Sequence, residues 1–138
     1  MTAGKSTVAD LVPVLREITP ELAAQIDDGL VLIWFLGDPG ACPVGIERVN
    51  WHAVTTEAPT MLRHTIDAIR WREKHLRDVN VAEWVASRRA PRLLLWVTDE
   101  VAYDNVPDVM AIALTGRITG IDVVCTTELQ RGRFHVHP

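Results

Sequence analysis

Two short stretches of this sequence carry residue types that could do chemistry together. Gly4-Lys5-Ser6-Thr7 lies near the start, and Asp99-Glu100 follows the apolar run "RLLLWVT". A Gly-Lys-Ser run that opens a helix is the rear half of a phosphate-binding loop. The lysine offers a charge to the phosphates, the serine hydroxyl offers a magnesium ligand, and the first N–H groups of the helix wrap phosphate oxygens. A buried strand running into Asp-Glu has the complementary Walker B form. The Asp holds magnesium, usually through water, and the Glu orients or deprotonates an attacking water. Neither stretch is specific by itself, because small residues start many helices and acidic residues end many strands. An acidic pair after a strand is also expected to cap the backbone N–H groups of the next turn.

The other chemically capable residues point to structure. Cys42 and Cys125 form no CxxC pair and no metal spacing. Cys125 sits in an apolar, strand-like run and is expected to be buried, which suits a reducing compartment. His135 and His137 alternate with Phe134 and Val136 in the tail, as on one face of an edge strand. A metal would need a third ligand that the neighbouring sequence does not offer. Burial in the core is the expectation for each of the tryptophans 34, 51, 71, 84 and 96, with Trp71 the candidate for an exposed anchor.

The bulk numbers bound the rest. A chain of 138 residues suits one domain, 1–138, and 48% hydrophobic with 23% charged residues suits a packed core rather than disorder. The net charge of −4 implies no basic face, so DNA binding by this chain alone is not expected. The longest apolar run, residues 30–36, is far too short to cross a bilayer, and the start shows no signal pattern. A soluble, cytoplasmic protein is expected.

The elements that must position the motifs alternate in period. Val8, Leu11, Val12 and Leu15 follow helical spacing over residues 6–17, with Pro13 kinking or ending the run. "TPELAAQI" reads as a second helix with Thr19 as N-cap and Pro20 in the first position. Residues 30–36, 92–98 and 121–127 are continuous apolar runs of strand length, the pattern of strands buried on both faces in a parallel sheet. Between them lie a long helix over about 58–77, a short helix at 81–89 around Trp84, and a helix over 107–118. The long helix is expected to bury Met61, Leu62, Ile66, Ile69 and Leu76 and to keep Arg63, Arg70, Arg72, Glu73 and Lys74 wet. Strands separated by helices predict an α/β fold with a small, mostly parallel three- to four-stranded sheet flanked by helices. Ligands of such sheets sit at the carboxyl ends of the strands, where Asp38, Asp99, Glu100, Thr127 and Glu128 lie.

The ordered series resembles the RecA-like motor domain of the FtsK/SpoIIIE family of DNA translocases, and in particular its conjugative TraB-type branch from mobile elements. "TAGKST" is similar to the end of the family's Walker A, and "GLVLIWFLGDPG" to its strand ending in Asp-Pro-Lys. "VTTEAPTMLRHTIDAIRWREKHL" is similar to its long helix, "RLLLWVTDE" to its Walker B, and "LTGRITGIDVVCTTE" to its sensor strand. The resemblance covers nearly the whole chain. It implies a partial RecA-like P-loop NTPase fold. By that likeness Gly4, Lys5, Ser6, Thr7 and Thr127 would meet ATP, Ser6 and Asp99 would meet magnesium, and Glu100 would be catalytic.

The departures shape the functional expectation. The family's first Walker A glycine and its launching strand would fall before Met1, so a degenerate Walker A without its strand is expected. The family's Asp-Pro-Lys is Asp38-Pro39-Gly40 here, and its sensor glutamine position holds Glu128, whose carboxylate would repel a γ-phosphate. The resemblance therefore implies an FtsK-like interaction or regulatory protein without catalysis, needing no cofactor, that docks on a partner such as a translocase. The alternative is an ATP-binding translocase subunit whose phosphate loop another chain completes, with ATP and magnesium as cofactors. The expected strand order, sensor, Walker B, Asp-Pro, leaves Ile121 to Thr127 as an apolar edge. That edge is expected to be covered by the chain's own tail, by a second copy or by a partner protein.

Overall fold

The three apolar runs form the heart of a parallel sheet. In the computed structural model, which describes residues 8–129, the strands are β1 (Val31–Leu36), β2 (Trp51–Ala53), β3 (Arg92–Val97) and β4 (Ile121–Cys125). Their order is β2-β1-β3-β4 and every pairing is parallel. The fold is thus α/β, with the apolar runs 121–127, 92–98 and 30–36 adjacent in the expected order. The additional strand is β2, on the far side of β1. The tail proposed for that role lies outside the described residues.

Both faces of the sheet are covered, which is why the central strands read as unbroken apolar runs. Leu36, Leu93, Leu95, Val97, Ile121, Val123 and Cys125 face a layer built by helices α1 (Val8–Leu11), α3 (Ala58–Val79), α4 (Asp99–Asp104) and α5 (Val106–Thr115). Ile33, Phe35, Trp96 and Val124 face the opposite layer, made by α2 (Pro20–Asp27) and the segment around Cys42 to Val49. Helix α2 begins as its sequence dictates. Thr19 accepts the Leu22 N–H through its side chain, and Pro20 takes the first position, where its missing N–H costs nothing. Helix α3 buries Leu62, Ile69 and Leu76 on one stripe and ends where Asn80 adopts the left-handed conformation at φ 56°.

Several expectations need correction. The first helix is described only over Val8–Leu11, because Pro13 ends it and the chain runs on extended through Leu15. The helix expected over 107–118 starts earlier and is split: α4 occupies 99–104, and α5 stops at Thr115 before a short 3-10 turn at Arg117–Thr119. Ile118, at the expected end of that helix, lies in the 3-10 turn and is 57% exposed. Trp51 and Trp71 are also exposed, Trp71 by 64%, whereas Trp96 is fully buried.

Residues 81–89 form no helix, for a reason that also corrects the reading of Arg72 as a solvated charge. The Arg72 guanidinium donates to the Thr119 carbonyl (2.9 Å) and the Pro91 carbonyl (3.2 Å), and lies 4.2 Å from the centroid of the Trp84 ring. Trp84 in turn donates its backbone N–H to Ile118 and its indole N–H to Ala90. These bonds tie the 80–91 segment to the turn before β4, and so compete with helical pairing. Gly120, at φ +77°, lies under the Trp84 ring, where a Cβ would come within 2.7 Å of it. Replacing Arg72 with Met keeps the stem but leaves two carbonyls without their donor and uncovers the ring. The expected loss is about 2 kcal/mol of unfolding free energy in urea titration, with Lys restoring only part of it. An unchanged midpoint and slope for Arg72→Met would refute this clamp.

Candidate functional site

The parallel register brings the acidic strand ends to one level. Leu36 pairs with Val97, and Val97 with Cys125, so β1, β3 and β4 end together. Gly37-Asp38, Thr98-Asp99-Glu100 and Thr126-Thr127 therefore emerge side by side along the carboxyl edge of the sheet. The chain leaves β1 toward β2 on one side, while β3 lies on the other. The gap between the ends of β1 and β3 is thus the switch point at which open α/β sheets place ligands.

Close packing narrows that gap. Gly37 has φ +145°, and a Cβ there would lie 2.3 Å from the Thr98 Cγ2. Only glycine fits this approach of β1 to β3. Gly37 donates to the Ala53 carbonyl, and Thr98 donates to that of Leu36, which knits β2, β1 and β3 together just where they end.

The candidate side chains begin the turns that follow. Asp38 accepts the Gly40 N–H at 3.0 Å and so starts the 3-10 turn at Pro39–Ala41. Thr98 is the N-cap of α4 and accepts the Val101 N–H at 3.3 Å. Asp99 occupies the first helical position and accepts the Glu100 N–H at 2.9 Å. Negative charge there also suits the helix N-terminus. Thr98 is buried, whereas Glu100 is exposed. Thr98 and Gly37 were not singled out from sequence. A Thr ahead of Asp-Glu and a helix is an N-cap signal that could have found the first.

Cys125 is the last residue of β4. It is fully buried, and burial pushes its thiol pKa up, with the Asp99 carboxylate adding repulsion of a thiolate. The backbone N–H groups of Thr127 and Thr126 oppose this and pull the value down, without cancelling it. The burial of Cys125 matches expectation. Asp99 is thus the one charged side chain that adds to the shift at Cys125, against the N–H groups of Thr126 and Thr127.

Gly4, Lys5, Ser6 and Thr7 lie outside the described residues, as do His135 and His137, so the phosphate-loop residues are not placed against Asp99. Among the described residues, no group of three or more His, Cys, Asp or Glu is arranged to hold a metal ion. No described helix is long and apolar enough to cross a membrane. Surface grooves of about 610, 430 and 350 Å³ are present, and none of these three is lined by Asp38, Asp99 or Glu100. No family model, no curated protein and no solved structure matches the chain.

The raised thiol has a pH consequence. The folded chain holds the Cys125 proton more tightly than the unfolded chain, so this stabilisation is complete below the ordinary thiol range. It is lost as the pH rises through the raised value. Asp99→Asn removes the repulsion and is expected to lower the thiol pKa. Followed by thiolate absorbance in a Cys42→Ser background, the native variant should ionise at lower pH than the parent, the two becoming equal in denaturant. Equal native titrations would separate Asp99 from Cys125.

Proposed function

We propose that this chain is a non-catalytic, FtsK-like interaction protein on a partial P-loop motor fold, acting by binding a partner protein such as a translocase of that kind. The observation that carries the reading is the display of large apolar side chains on one end of the helical layer. Leu114 near the end of α5 and Ile118 in the 3-10 turn that follows are 62% and 57% exposed, and Val79 and Val81 at the end of α3 are 50% and 46% exposed. Ile118 and Val81 line the groove of about 430 Å³ together with Leu76, Arg77 and Glu73. Grouped apolar exposure with a polar rim is the usual mark of a protein-binding surface.

The strand ends support the same reading from the other side. Asp38 and Asp99 each accept a backbone N–H of their own turn. Gly40 stands where the resembling family carries lysine, and Glu128 adds a negative charge near the expected γ-phosphate. Magnesium-ATP would meet an excess of carboxylates and little cationic help from the described residues.

A second reading is favoured by the level strand ends at the switch point. Asp99, Glu100 and Thr127 lie along the carboxyl edge, where an ATP-binding translocase subunit would need its magnesium, water-orienting and sensor groups. Lys5 and Ser6 would act on the phosphates together with a neighbouring chain.

Binding of the immobilised chain to a purified FtsK-type motor domain distinguishes the two. The expected result is saturable binding that Ile118→Glu weakens at least about tenfold, as loss of a central apolar anchor does. Isothermal titration with magnesium-ATP is expected to be silent. Micromolar magnesium-ATP affinity, with DNA-stimulated turnover that disappears in Glu100→Gln, would instead establish the second reading. Motor-domain affinity untouched by Ile118→Glu would remove the surface proposed here.

A further inference from the structure

The long helix α3 buries one stripe, Ala58, Leu62, Thr65, Ile69 and Leu76. The opposite stripe is Thr60, His64, Asp67, Trp71, Lys74 and Asp78, and every one of these residues is exposed. They recur at alternating spacings of four and three, which keeps them on one outer face at about 100° per residue. The sheet leaves a second chain far less room. Cys125 donates its N–H to the Pro13 carbonyl and accepts the Leu15 N–H, both at 2.9 Å, so the Pro13–Leu15 arm covers the end of β4. The buried Trp96 holds the arm a third time by donating its indole N–H to the Leu15 carbonyl at 2.9 Å. The Ile121 N–H is taken by the Gly116 carbonyl. Among the described residues, nothing covers the outer face of α3 in this way.

Trp71 stands in the middle of that face, exposed yet held in place. Its ring stacks on that of His75, with planes 4° apart and centroids 5.7 Å apart. His75 in turn meets Trp84 at 5.9 Å, and Trp84 carries the Arg72 guanidinium that two carbonyls fix. A large ring already ordered in water loses little further freedom when a partner covers it. Tryptophan in that position is a frequent anchor of interfaces.

The charges around Trp71 select what covers it. Among the described residues Asp67, Lys74 and Asp78 take part in no ion pair. Consider two copies of α3 lying antiparallel about a twofold axis at Trp71. Each residue then comes level with the one equally far from Trp71 in the other direction. His64 and Asp78 lie seven positions to either side, so each meets the other across the axis. Asp67, four positions before, falls within about 1.5 Å along the axis of Lys74, three positions after. Asp67 and Lys74 share one flank of the stripe, and this symmetry joins like flanks. Trp71 meets Trp71. A parallel pair in register would set Asp67 against Asp67 and Lys74 against Lys74, which repel. The face is therefore complementary to itself when reversed, as an isologous contact requires.

We infer that α3 docks on α3 of a second copy, antiparallel, with Trp71 at the twofold axis. Covering the two tryptophans supplies the attraction. The Asp67–Lys74 and His64–Asp78 pairs set direction and register, because exposed ion pairs add little affinity. One helix a side makes a small interface, so the dimer is weak and concentration-dependent. This surface is separate from the one around Ile118.

Sedimentation velocity of the full-length chain over a range of concentrations tests this. The parent is expected to move from the 15.4 kDa monomer mass toward twice that mass. Trp71→Ala, at an exposed position, should keep native circular dichroism and weaken the dimer at least about tenfold. Charge exchange tests the register. Asp67→Lys and Lys74→Asp each oppose like charges twice and should weaken the dimer at least about fivefold. Combining the two exchanges the partners and should return affinity to within about twofold of the parent. Ile118→Glu should leave dimerisation unchanged. A parent that stays monomeric at all concentrations overturns the inference, as does a dimer indifferent to Trp71→Ala. A double variant no stronger than either single one also overturns it, and so does a dimer that Ile118→Glu abolishes.

Discussion

The constraint on which the rest of this structure depends is the burial of β1 and β3 on both faces. Ile33, Phe35, Leu36, Leu95, Trp96 and Val97 have essentially no exposed surface. Each such side chain contributes about 1.5–3 kcal/mol when fully buried. A strand that is apolar at every position cannot lie on a surface, so both layers must exist. One layer is supplied by the long helix α3 with α1, α4 and α5. The other has, among the described residues, α2 and an irregular segment, and it is held by the largest side chains of the sheet. Phe35 and Trp96 meet edge to face with centroids 6.2 Å apart, and Trp96 reaches on to the arm through its N–H. A thin layer is closed by big rings where the thick one is closed by helices.

The same burial sets the geometry of the candidate site. Strands buried on both faces are held in strict register, and register makes their ends level. Asp38, Asp99, Glu100 and Thr127, up to 89 positions apart in sequence, become neighbours along one edge for that reason. The close approach of Gly37 to Thr98 then draws the ends of β1 and β3 together. Level ends alone do not make a nucleotide site. What they offer in the described residues is two carboxylates, Asp38 and Asp99, that accept N–H groups of their own turns, an exposed Glu100, and a buried thiol at the end of β4.

The parts legible in the sequence are those where one physical cause acts alone. Continuous apolar runs exposed β1, β3 and β4, and a strong 3.6-residue stripe exposed α3. The Thr19-Pro20 pair exposed the start of α2. What stayed hidden depends on contacts between distant residues. β2 is three residues long, Trp51-His52-Ala53, and exists because β1 offers it an edge, not because of its own pattern. The 80–91 segment carries apolar residues at spacings that suit a helix, but Arg72 and Trp84 fasten it elsewhere. Arg72 looked like a solvated charge because seven other charged residues share its helix, and nothing local says that two carbonyls wait for it. The arm was hidden too. A proline inside a helical pattern announces a break without saying where the chain goes next.

Where the chain goes bears directly on how it can meet another protein. A three-stranded core with an apolar edge at Ile121–Thr127 suggests that partners add to the sheet. Among the described residues β2 is only three residues long, and β4 carries the Pro13–Leu15 segment at Cys125. A partner that added a strand to β4 would first have to break three hydrogen bonds of the arm, one of them to a fully buried indole. Leaving that indole unpaired would cost roughly 1–3 kcal/mol before any new contact formed. A partner that docks on Leu114, Ile118 and Val81 meets no such barrier, because those side chains already face outward. The covered end of β4 and the outward apolar groups of the helical layer thus both favour the proposal that a partner would meet the helices rather than the sheet.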